Sequence, residues 1–348
     1  MRLSDFDFDL PEHLIAQQPP PERGTSRLLV VDRAAGTWRD AAIADLPELL
    51  SPSDLLVVNN SRVVPARLLG RREPSGGQVE CLLLRQLDEE CWDALLHPGQ
   101  KMKPGTRARF GNGEAGLELE VLAQHTFGRR TIRLRALTGG PVAPLIDSLG
   151  HMPLPPYIKR DDTSTDRERY QTVYASRRGS VAAPTAGLHL TADLLARLDR
   201  RGVERCEITL HVGYGTFEPV RTVEVEAHRV HPEPFEIAGD TASAIVAAQA
   251  AGRRVVAVGT TTTRTLEAVA AAHDGLVHAE SGEASLFIYP GFAFRVVGGL
   301  LTNFHLPKSS LLLLVSAFAG TELTRATYRH AIAAGYRFYS YGDAMLIL

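Results

Sequence analysis

The pattern of hydrophobic and polar positions differs between segments of this chain. In the first sixty residues, short apolar runs predict two buried strands, RLLVVDR and DLLVVNN, with a short helix, IADLPELL, between them. From about residue 65 the apolar positions recur every second residue, as in TIRLRAL, which is typical of half-buried antiparallel strands. The successive strands predicted there indicate a small barrel: QVECLLLR, CWDALLH, TRARF, LELEVLA and RTIRLRAL.

Helical periodicity returns at PVAPLIDSLG, and helices then alternate with strands to the end of the chain. The predicted strands are ERCEITLHVG, RVVAVG, SLFIYPG and YRFYSYGDAMLIL. The predicted helices are ADLLARLDRRG, TASAIVAAQAAG, TRTLEAVAAA, ELTRATYRHAIAAG and PKSSLLLLVSAFAG, the last with its proline in the first turn.

These elements predict the α/β class, with a small antiparallel β-barrel inserted into a main α/β domain that both ends of the chain build. The proline-rich segment MPLPPYI is typical of a stiff connector at a domain boundary. We expect a discontinuous α/β catalytic domain, residues 1–64 and 148–348, and a barrel domain, residues 65–147.

Composition narrows the class of protein. With 348 residues, 44% of them hydrophobic, the chain can bury a substantial core. Its longest apolar run, SLLLLVSAFAG, is shorter than the roughly 20 residues of a membrane span. The acidic start, MRLSDFDFDLPEHL, does not resemble a secretory signal, so we expect a cytoplasmic protein. Cys81, Cys91 and Cys206 form no CxxC pair and are expected to be reduced, buried and structural.

The charge pattern bears on nucleic-acid binding. A formal net charge of -2 argues against a protein that binds nucleic acid with its whole surface. Arginines nevertheless cluster at 67–72, 128–135 and 177–179. Such clusters are more often solvated strand faces than phosphate contacts, and the sequence leaves a local patch open.

The stretch SVAAPTAGLHLT, residues 180–191, has the composition of a strand-to-helix junction. Pro184 ends the extended segment, Gly187 permits an unusual backbone angle, and Thr191 is a good cap for the helix that follows. Open α/β sheets bind ligands at such strand ends. Taken alone, His189 is more simply read as a hydrogen-bonded core histidine than as a functional one.

Two further strand ends contain glycine together with side chains that can exchange protons or bind an anion. In HVGYGTFEPV, Gly213 and Gly215 let the backbone approach a ligand, and His211 and Glu218 can exchange protons; a plain glycine turn explains the pattern equally well. In VGTTTTRTLE, a helix that begins in the threonine run favours an anion, to which Arg264 adds a charged donor. The alternative there is ordinary capping by threonine.

The remaining strand ends admit a structural and a functional reading each. The rings of FIYPGF cover a core or stack on a nucleobase or a sulfonium cation. TNFHLP carries Asn303 and His305, the latter either a capping group or a proton carrier. In HRVHPEPFEI, His228, His231 and Glu233 suggest a metal site, although a charged strand face explains them better. The segment VGTTTTRTLE is neither a Walker A nor a GxGxxG motif, and no GxSxG motif is present in the sequence.

An ordered set of unusual blocks covers nearly the whole chain: SRLLVVDR, NNSRVVPARL, HPGQKMKPG, GHMPLPPYI, RYQTVYA, SVAAPTAGLHLT, HVGYGTFEPV, GTTTTRTLE, FIYPGF, LLTNFHLPKSSLLLLVSAFAG and YRFYSYGDAMLI. This set closely resembles the S-adenosylmethionine:tRNA ribosyltransferase-isomerase family of queuosine biosynthesis, also called QueA. The resemblance implies a cytoplasmic enzyme with an α/β domain and an inserted β-barrel. It implies no metal or redox cofactor.

The resemblance also implies the substrates. S-adenosylmethionine would serve as a co-substrate that donates its ribosyl group to the aminomethyl group of preQ1, a 7-deazaguanine at the tRNA wobble position. The products would be epoxyqueuosine in the tRNA, adenine and methionine. The partners implied are this tRNA, through its anticodon loop, and S-adenosylmethionine; we expect no membrane partner, and a monomer.

Four positions depart from the family pattern. Phe292 replaces the usual Tyr, Val230 the usual Met and Leu190 the usual Phe, while Asn60 stands where Asp is frequent. The GEASL segment before FIYPGF also lacks a common Trp-Thr pair. Because the first three changes preserve bulk, we expect altered packing rather than lost chemistry, with no hydroxyl at 292 and no charge at 60.

Residue types and resemblance together nominate three sets of site residues. The acid–base candidates, which titrate near neutral pH with modest tuning, are His189, His211, Glu218 and His305. The residues expected to bind S-adenosylmethionine are Thr185, Gly187, Gly213, Gly215, Thr216, Gly259, Thr260, Thr261, Arg264, Phe287, Tyr289 and Asn303. The residues expected to bind tRNA phosphates are Arg62, Arg67, Lys101 and Lys103.

Each member of the second set has an expected role. Arg264, Thr260 and Thr261 would hold the methionyl carboxylate, and Phe287 with Tyr289 would face the sulfonium or stack on adenine. Two rival functions remain: an S-adenosylmethionine-dependent RNA methyltransferase, disfavoured because no glycine-rich strand-to-helix loop of the usual type is visible, and a non-catalytic RNA-binding module whose histidines merely stack or cap.

Overall fold

The computed structural model describes residues 1–111, 115–217 and 219–348. Its strands are β1 (Arg27–Asp32), β2 (Thr37–Ala42), β3 (Leu55–Asn59), β4 (Ser61–Val63), β5 (Arg67–Glu73), β6 (Gln78–Gln86), β7 (Cys91–His97), β8 (Arg107–Phe110), β9 (Leu117–Gln124), β10 (Arg129–Ala136), β11 (Arg177–Ser180), β12 (Glu204–Leu210), β13 (Glu233–Ile237), β14 (Val255–Val258), β15 (Glu280–Ala284), β16 (Val297–Asn303) and β17 (Ala344–Ile347). Its α-helices are α1 (Leu46–Leu49), α2 (Ala143–Leu149), α3 (Asp166–Arg169), α4 (Ala192–Arg200), α5 (Gly239–Ala250), α6 (Thr260–Ala272), α7 (Ser310–Ala319) and α8 (Thr321–Ala333).

Nine strands form one mixed sheet in the order β15-β13-β12-β3-β14-β16-β17-β1-β2. Strands β12, β3, β14 and β16 are parallel to one another. Their last residues, Leu210, Asn59, Val258 and Asn303, therefore lie along one side of the sheet, which we call the carboxyl edge. Strand β17 is antiparallel to β16, so that its first residue, Ala344, lies opposite Asn303 at the same edge.

Helices cover both faces of the sheet. Every residue of β3 is buried, because side chains that alternate along a central parallel strand meet a helical layer on each side. Val57 belongs to a hydrophobic cluster with residues of α5, α6, α7 and α8. Val58 belongs to a second cluster with residues of α1 and α4.

Six strands close into a barrel in the order β10-β7-β6-β5-β8-β9, which leaves no open sheet edge. Leu68, Cys81 and Ile132 are among the apolar side chains that fill its interior. Gly70 is required on β5, because a Cβ there would lie 2.3 Å from the carbonyl oxygen of Arg109 and 2.5 Å from the ring of Phe110. The predicted α/β class with a small antiparallel barrel is confirmed.

The chain enters and leaves the barrel at two adjacent points, which we call the neck. Arg67 and His151 exchange two backbone hydrogen bonds of 3.2 and 2.7 Å. A Cβ on Gly150 would lie 1.9 Å from the carbonyl oxygen of Pro65, so the two crossings are in close contact. The division of the chain at residues 64 and 148 stays a prediction.

Three predicted elements were wrong in detail. SLFIYPG is not a strand: β15 is formed by the preceding residues 280–284, while Leu286 and Ile288 pack irregularly on the core. The final strand is only Ala344–Ile347, because the Asp343 carboxylate accepts a hydrogen bond from the backbone N–H of Arg337 and folds the preceding residues into a loop. Helix α7 begins at Ser310, capped by Ser309, and thus after the proline expected in its first turn.

Among the helices of the described residues, none is long and apolar enough to cross a membrane. The three cysteines are free. Cys81 is buried as predicted, but Cys91 and Cys206 are only half-buried. Burial raises the pKa of the Cys206 thiol to about 12, which keeps that thiol protonated and unreactive at neutral pH.

Candidate active site at the carboxyl edge

Direct contacts join several of the sequence loops singled out above. The backbone N–H of Val212, which follows β12, donates to the hydroxyl of Ser180 over 2.8 Å. A Cβ on Gly259 would lie 3.7 Å from the Cβ of Ala186, so the loop before α4 contacts the start of α6. These loops follow or flank the parallel strands, and the carboxyl edge brings them together.

His189 lies at the centre of a hydrogen-bonded group on this edge. Its Nε2 atom accepts a hydrogen bond from the Asn303 amide over 3.0 Å, which leaves the proton on Nδ1 for donation to the hydroxyl of Ser26 over 2.9 Å. The side chain is buried, and burial together with nearby Arg23 and Arg337 lowers the pKa of His189 to about 4. His189 is therefore a neutral, fixed imidazole at pH 7. The predicted cap is confirmed, since the Thr191 hydroxyl accepts from the N–H of Leu194.

His305 is equally buried, on the loop that follows β16. Its Nε2 atom forms a hydrogen bond of 2.9 Å with the hydroxyl of Thr302, and its backbone N–H donates to the hydroxyl of Tyr328. Burial lowers the pKa of His305 to about 3, so this imidazole is also neutral at pH 7.

His211 differs from these two histidines because it is only half-buried. Its Nδ1 atom is buried and has no hydrogen-bond partner within the described residues. The His211 ring lies against Gly179, and a Cβ on that residue would be only 2.7 Å from the ring. Gly179 also has a φ of +148°, which favours glycine, so both the close contact and the backbone conformation require this residue. Burial, reinforced by nearby Arg177, lowers the pKa of His211 below its usual value.

A buried ion pair ties three of the loops together. The Glu233 carboxylate accepts one hydrogen bond from the N–H of Gly213 over 2.9 Å and another from Nη1 of Arg264 over 3.0 Å. The Nε atom of Arg264 donates to the carbonyl oxygen of Leu286 over 3.1 Å. Both charged residues are less than 10% exposed, and Nη2 of Arg264 is a buried donor with no partner in the described part of the chain. An acceptor beside it would complete the guanidinium's bonding.

The start of α6 lies beside this ion pair. Gly259 precedes the helix with a φ of +95°, a conformation that favours glycine, and supplies no side-chain cap. Thr260 and Thr261 are the first two helical residues and are buried. The next two threonines donate their hydroxyls back to carbonyl oxygens one turn earlier. The N–H groups in the first turn of an α-helix have no acceptor within the helix, so those of α6 can donate to an anion.

The aromatic residues of FIYPGF lie next to the same ion pair. The ring of Phe287 has its centroid 5.3 Å from that of Tyr289 and 5.0 Å from that of His228. All three are partly exposed. Phe292 packs edge-on against Phe294. Phe287, Tyr289 and Phe292 are all partly buried against the hydrophobic core, so each ring has a structural role.

Two glycines expected to admit a ligand face other side chains instead. A Cβ on Gly187 would lie 2.1 Å from the Tyr174 hydroxyl, and one on Gly215 would lie 2.7 Å from the His231 ring. Thr185 and Thr216 are half-buried on short 3-10 turns, Thr185–His189 and Tyr214–Phe217. Glu218 lies outside the residues that the structure describes.

The four residues expected to bind phosphate divide into two kinds. Arg62, Lys101 and Lys103 are exposed. Arg67 is not free, because its guanidinium forms a two-point ion pair with Glu80 and lies 3.5 Å from Asp161.

Buried Arg130 holds the turn that carries the two lysines. Its guanidinium donates hydrogen bonds to the carbonyl oxygens of Met102 and Gly99. In the described part of the chain, no group of three His, Cys, Asp or Glu side chains has the geometry of a metal site.

A cleft of about 780 Å³ separates the barrel from the segment 153–162 that follows the neck, and Tyr214 lines it. A much smaller hollow of about 20 Å³ adjoins His189. Of these three imidazoles only that of His189 lines either hollow, so neither hollow joins His189, His211 and His305 within the described part of the chain. Sequence reasoning missed the roles of Ser26 and Gly179. It considered Glu233 as a metal ligand or, better, part of a charged strand face, whereas the structure pairs this buried carboxylate with Arg264.

Comparison with known proteins extends these observations. A family model described as queuosine biosynthesis protein matches residues 3–347. The chain is 52% identical to a protein of Symbiobacterium thermophilum and 50% identical to one of Solibacter usitatus, each over the full length of both chains; both are named S-adenosylmethionine:tRNA ribosyltransferase-isomerase. It is also similar to the crystal structure of an S-adenosylmethionine tRNA ribosyltransferase from Thermotoga maritima, with 36% identity and a TM-score of 0.56 over 99% of this chain and all of that one.

The two buried histidines predict how stability depends on pH. Because the folded pKa values of His189 and His305 lie below the usual 6.5, their contribution is fully present above pH 6.5 and is lost as the pH falls toward 4. Because each histidine resists protonation in the folded state, we expect each to lower the free energy of unfolding by about 2 kcal/mol when the pH changes from 7 to 5. Urea denaturation of His189→Gln at both values should show about 2 kcal/mol less pH dependence than wild type, whereas exposed His13→Gln should show the full dependence. An unaltered pH dependence in His189→Gln would contradict the assignment.

Proposed function

Because this chain belongs to the queuosine biosynthesis protein family, we propose that its carboxyl edge is where S-adenosylmethionine gives its ribosyl group to tRNA. The chain is an S-adenosylmethionine:tRNA ribosyltransferase-isomerase of queuosine biosynthesis. One observation carries this function: the relatives so named match it from end to end at about half of all positions.

The acceptor we propose is the aminomethyl group of preQ1 at the tRNA wobble position, and the product is epoxyqueuosine. An unpaired anticodon-loop base can be splayed out and stacked on protein rings, which gives an enzyme access to its edge. The cleft between barrel and α/β layer, lined by Tyr214, has a volume that suits such a base. We propose that the enzyme acts as a monomer in the cytoplasm, with residues 1–64 and 148–348 forming the catalytic domain.

The chemistry requires proton transfer in at least two places. The sulfonium of S-adenosylmethionine withdraws electrons from ribose C5′, so a nearby base can remove a C5′ proton. The glycosidic bond to adenine then breaks and adenine leaves with the bonding electron pair. The preQ1 amine forms a bond to the sugar and loses a proton, and the C–S bond breaks to release methionine.

His211 is the base we favour for the first proton. It is half-buried, it is neutral at pH 7 because burial lowers its pKa, and its Nδ1 atom has no other hydrogen-bond partner within the described residues. His189 and His305 already hold side chains of the protein at Nε2. We assign those two histidines to positioning the loops of the carboxyl edge. His189 positions Asn303, whose buried Oδ1 atom remains to accept a hydrogen bond from the nucleoside.

Arg264 supports binding of the methionyl carboxylate. Its unpartnered Nη2 atom and the first-turn N–H groups of α6 are donors of the kind that a carboxylate accepts. Glu233 and the carbonyl oxygen of Leu286 fix the guanidinium's orientation. The partly exposed rings of Phe287 and Tyr289, next to this group, suit the sulfonium cation that follows the carboxylate in the substrate.

The reaction is tested with S-adenosylmethionine and an anticodon stem-loop that contains preQ1. We expect release of free adenine and an RNA mass gain of one ribosyl-derived unit, seen by chromatography and mass spectrometry. A gain of one methyl group would instead indicate a methyltransferase. Binding of the RNA with no reaction would indicate a non-catalytic RNA-binding module.

Replacement of His211 should impair turnover far more than binding. In His211→Gln we expect kcat to fall by about a hundred- to ten-thousand-fold, because the group that accepts the C5′ proton is lost. The wild-type enzyme should lose activity at acidic pH, below the usual titration range of histidine because the pKa of His211 is lowered, and the variant's residual activity should lack this acid limb. His125→Gln, on the exposed barrel surface, is the matched control. Retention of full kcat and of the acid limb by His211→Gln would refute this role.

Arg264→Lys should weaken S-adenosylmethionine binding by about tenfold or more, because lysine keeps the charge but loses the second guanidinium donor. Isothermal titration with S-adenosylmethionine measures the effect. The matched control is Arg254→Lys, whose guanidinium pairs with Asp54 at the opposite end of the parallel strands. Equal affinities for the Arg264 and Arg254 variants would show that Arg264 does not contact the substrate.

A further inference from the structure

Strands β5 and β8 bring several arginines together on one part of the barrel's outer face. Along β5 the side chains alternate, since Leu68 is fully buried and Leu69 is 43% exposed. Arg67 and Arg71 share the outward side with Leu69. On the neighbouring strand β8, Ala108 and Phe110 are buried, which turns Arg107 and Arg109 outward.

The strand register places like charges opposite each other. Arg71 pairs directly with Arg109, and Glu73 pairs with Arg107. Like charges directly opposite are unfavourable in a sheet unless an anion lies between them. The Glu73 carboxylate, however, bonds diagonally to Nε of Arg109 at 3.2 Å. Arg71 donates to a neutral backbone oxygen, that of Gly76, which leaves its charge uncompensated.

Two hollows border this face and share the turn that begins at Glu73. One has a volume of about 1140 Å³ and the other of about 720 Å³, and Arg72, Glu73 and Pro74 line both. We call the two together the arginine groove. Its carboxylates are Glu73 and Glu80, and its cationic side chains are Arg67, Arg71, Arg72, Lys101, Arg107 and Arg109. Among the described residues, the lining of the groove is therefore positive, on a chain whose formal net charge is -2, and the nearest further carboxylates are Glu118 and Glu120 of β9, opposite Arg109 and Arg107.

The arginine groove continues toward the candidate active site. Its larger hollow shares Arg67, Glu80 and His97 with the cleft of about 780 Å³ beside the neck. That cleft is lined by Tyr214, three residues after His211 in the chain. A polymer that lay in the groove would reach the cleft that Tyr214 lines without leaving the protein surface.

We propose that the arginine groove binds the ribose–phosphate backbone of the tRNA anticodon arm, with Arg71 and Arg107 as phosphate ligands. The proposal rests on tRNA being the substrate. Guanidinium groups suit this ligand because each can donate two parallel hydrogen bonds to one phosphate. A phosphate between Arg71 and Arg109 would also remove the repulsion that the register creates.

The test uses the full-length protein and a labelled tRNA transcript with an intact anticodon arm, with binding followed by fluorescence anisotropy between about 50 and 200 mM salt. The double variant Arg71→Gln/Arg107→Gln should weaken binding about tenfold and should lower the slope of log affinity against log salt by about one to two units. Arg71→Lys/Arg107→Lys, which keeps both charges, should restore most of the slope.

The matched control is Arg133→Gln/Arg135→Gln, which removes the same charge from β10, on the opposite side of the barrel from β5. It should bind tRNA as the wild type does. An unchanged salt slope in the groove variant, or an equal loss in the control, would overturn the proposal. Because these readouts are binding constants, they are independent of adenine release, whose absence from the wild type would contradict the proposed reaction instead.

Discussion

The shared direction of β12, β3, β14 and β16 is the constraint on which the rest of this molecule depends. Parallel strands end on the same side of a sheet, and each of these four is followed by a segment rich in polar residues or glycine. Sequence segments more than a hundred residues apart thereby become neighbours, as in the hydrogen bond from Asn303 to His189. The buried layers on both faces fix the strands, and so they also fix the positions of these loops.

Two parts of the carboxyl edge differ in how their polar side chains are hydrogen-bonded. Around β16, His189 and His305 are buried and neutral, and each is hydrogen-bonded through Nε2 to a protein side chain. Around β12 and β13, the buried pair of Glu233 and Arg264 leaves one donor unused, and His211 leaves one ring nitrogen unused. Unsatisfied buried groups are costly in a protein that has no use for them. Together with Oδ1 of Asn303, these unused atoms are the ones with which the proposed substrate would complete its hydrogen bonding at the carboxyl edge.

Much of the fold could be predicted from the sequence, because alternating apolar positions report burial directly. The barrel strands and helices such as α4 and α8 follow that pattern. SLFIYPG misled because its apolar residues pack on the core without a strand partner, whereas the true strand, β15, is an edge strand with mostly exposed residues and no apolar pattern. For the site, the motif loops were identifiable, but the partners were not. Nothing near His189 in sequence indicates Ser26, 163 positions away, and only the folded chain shows that His211 rests on Gly179.

The neck has a consequence for how such a molecule arises and can be altered. The segments that enter and leave the barrel are hydrogen-bonded side by side at Arg67 and His151. The barrel could therefore be absent or different in size without a change in the nine-stranded sheet. An inserted domain whose two ends are adjacent can be gained, enlarged or exchanged in one genetic event, because the strand order of the surrounding sheet does not change. The RNA-binding groove proposed for the barrel and the reaction proposed for the carboxyl edge could thus evolve separately, while the close contact of Gly150 with Pro65 holds the two chain crossings together.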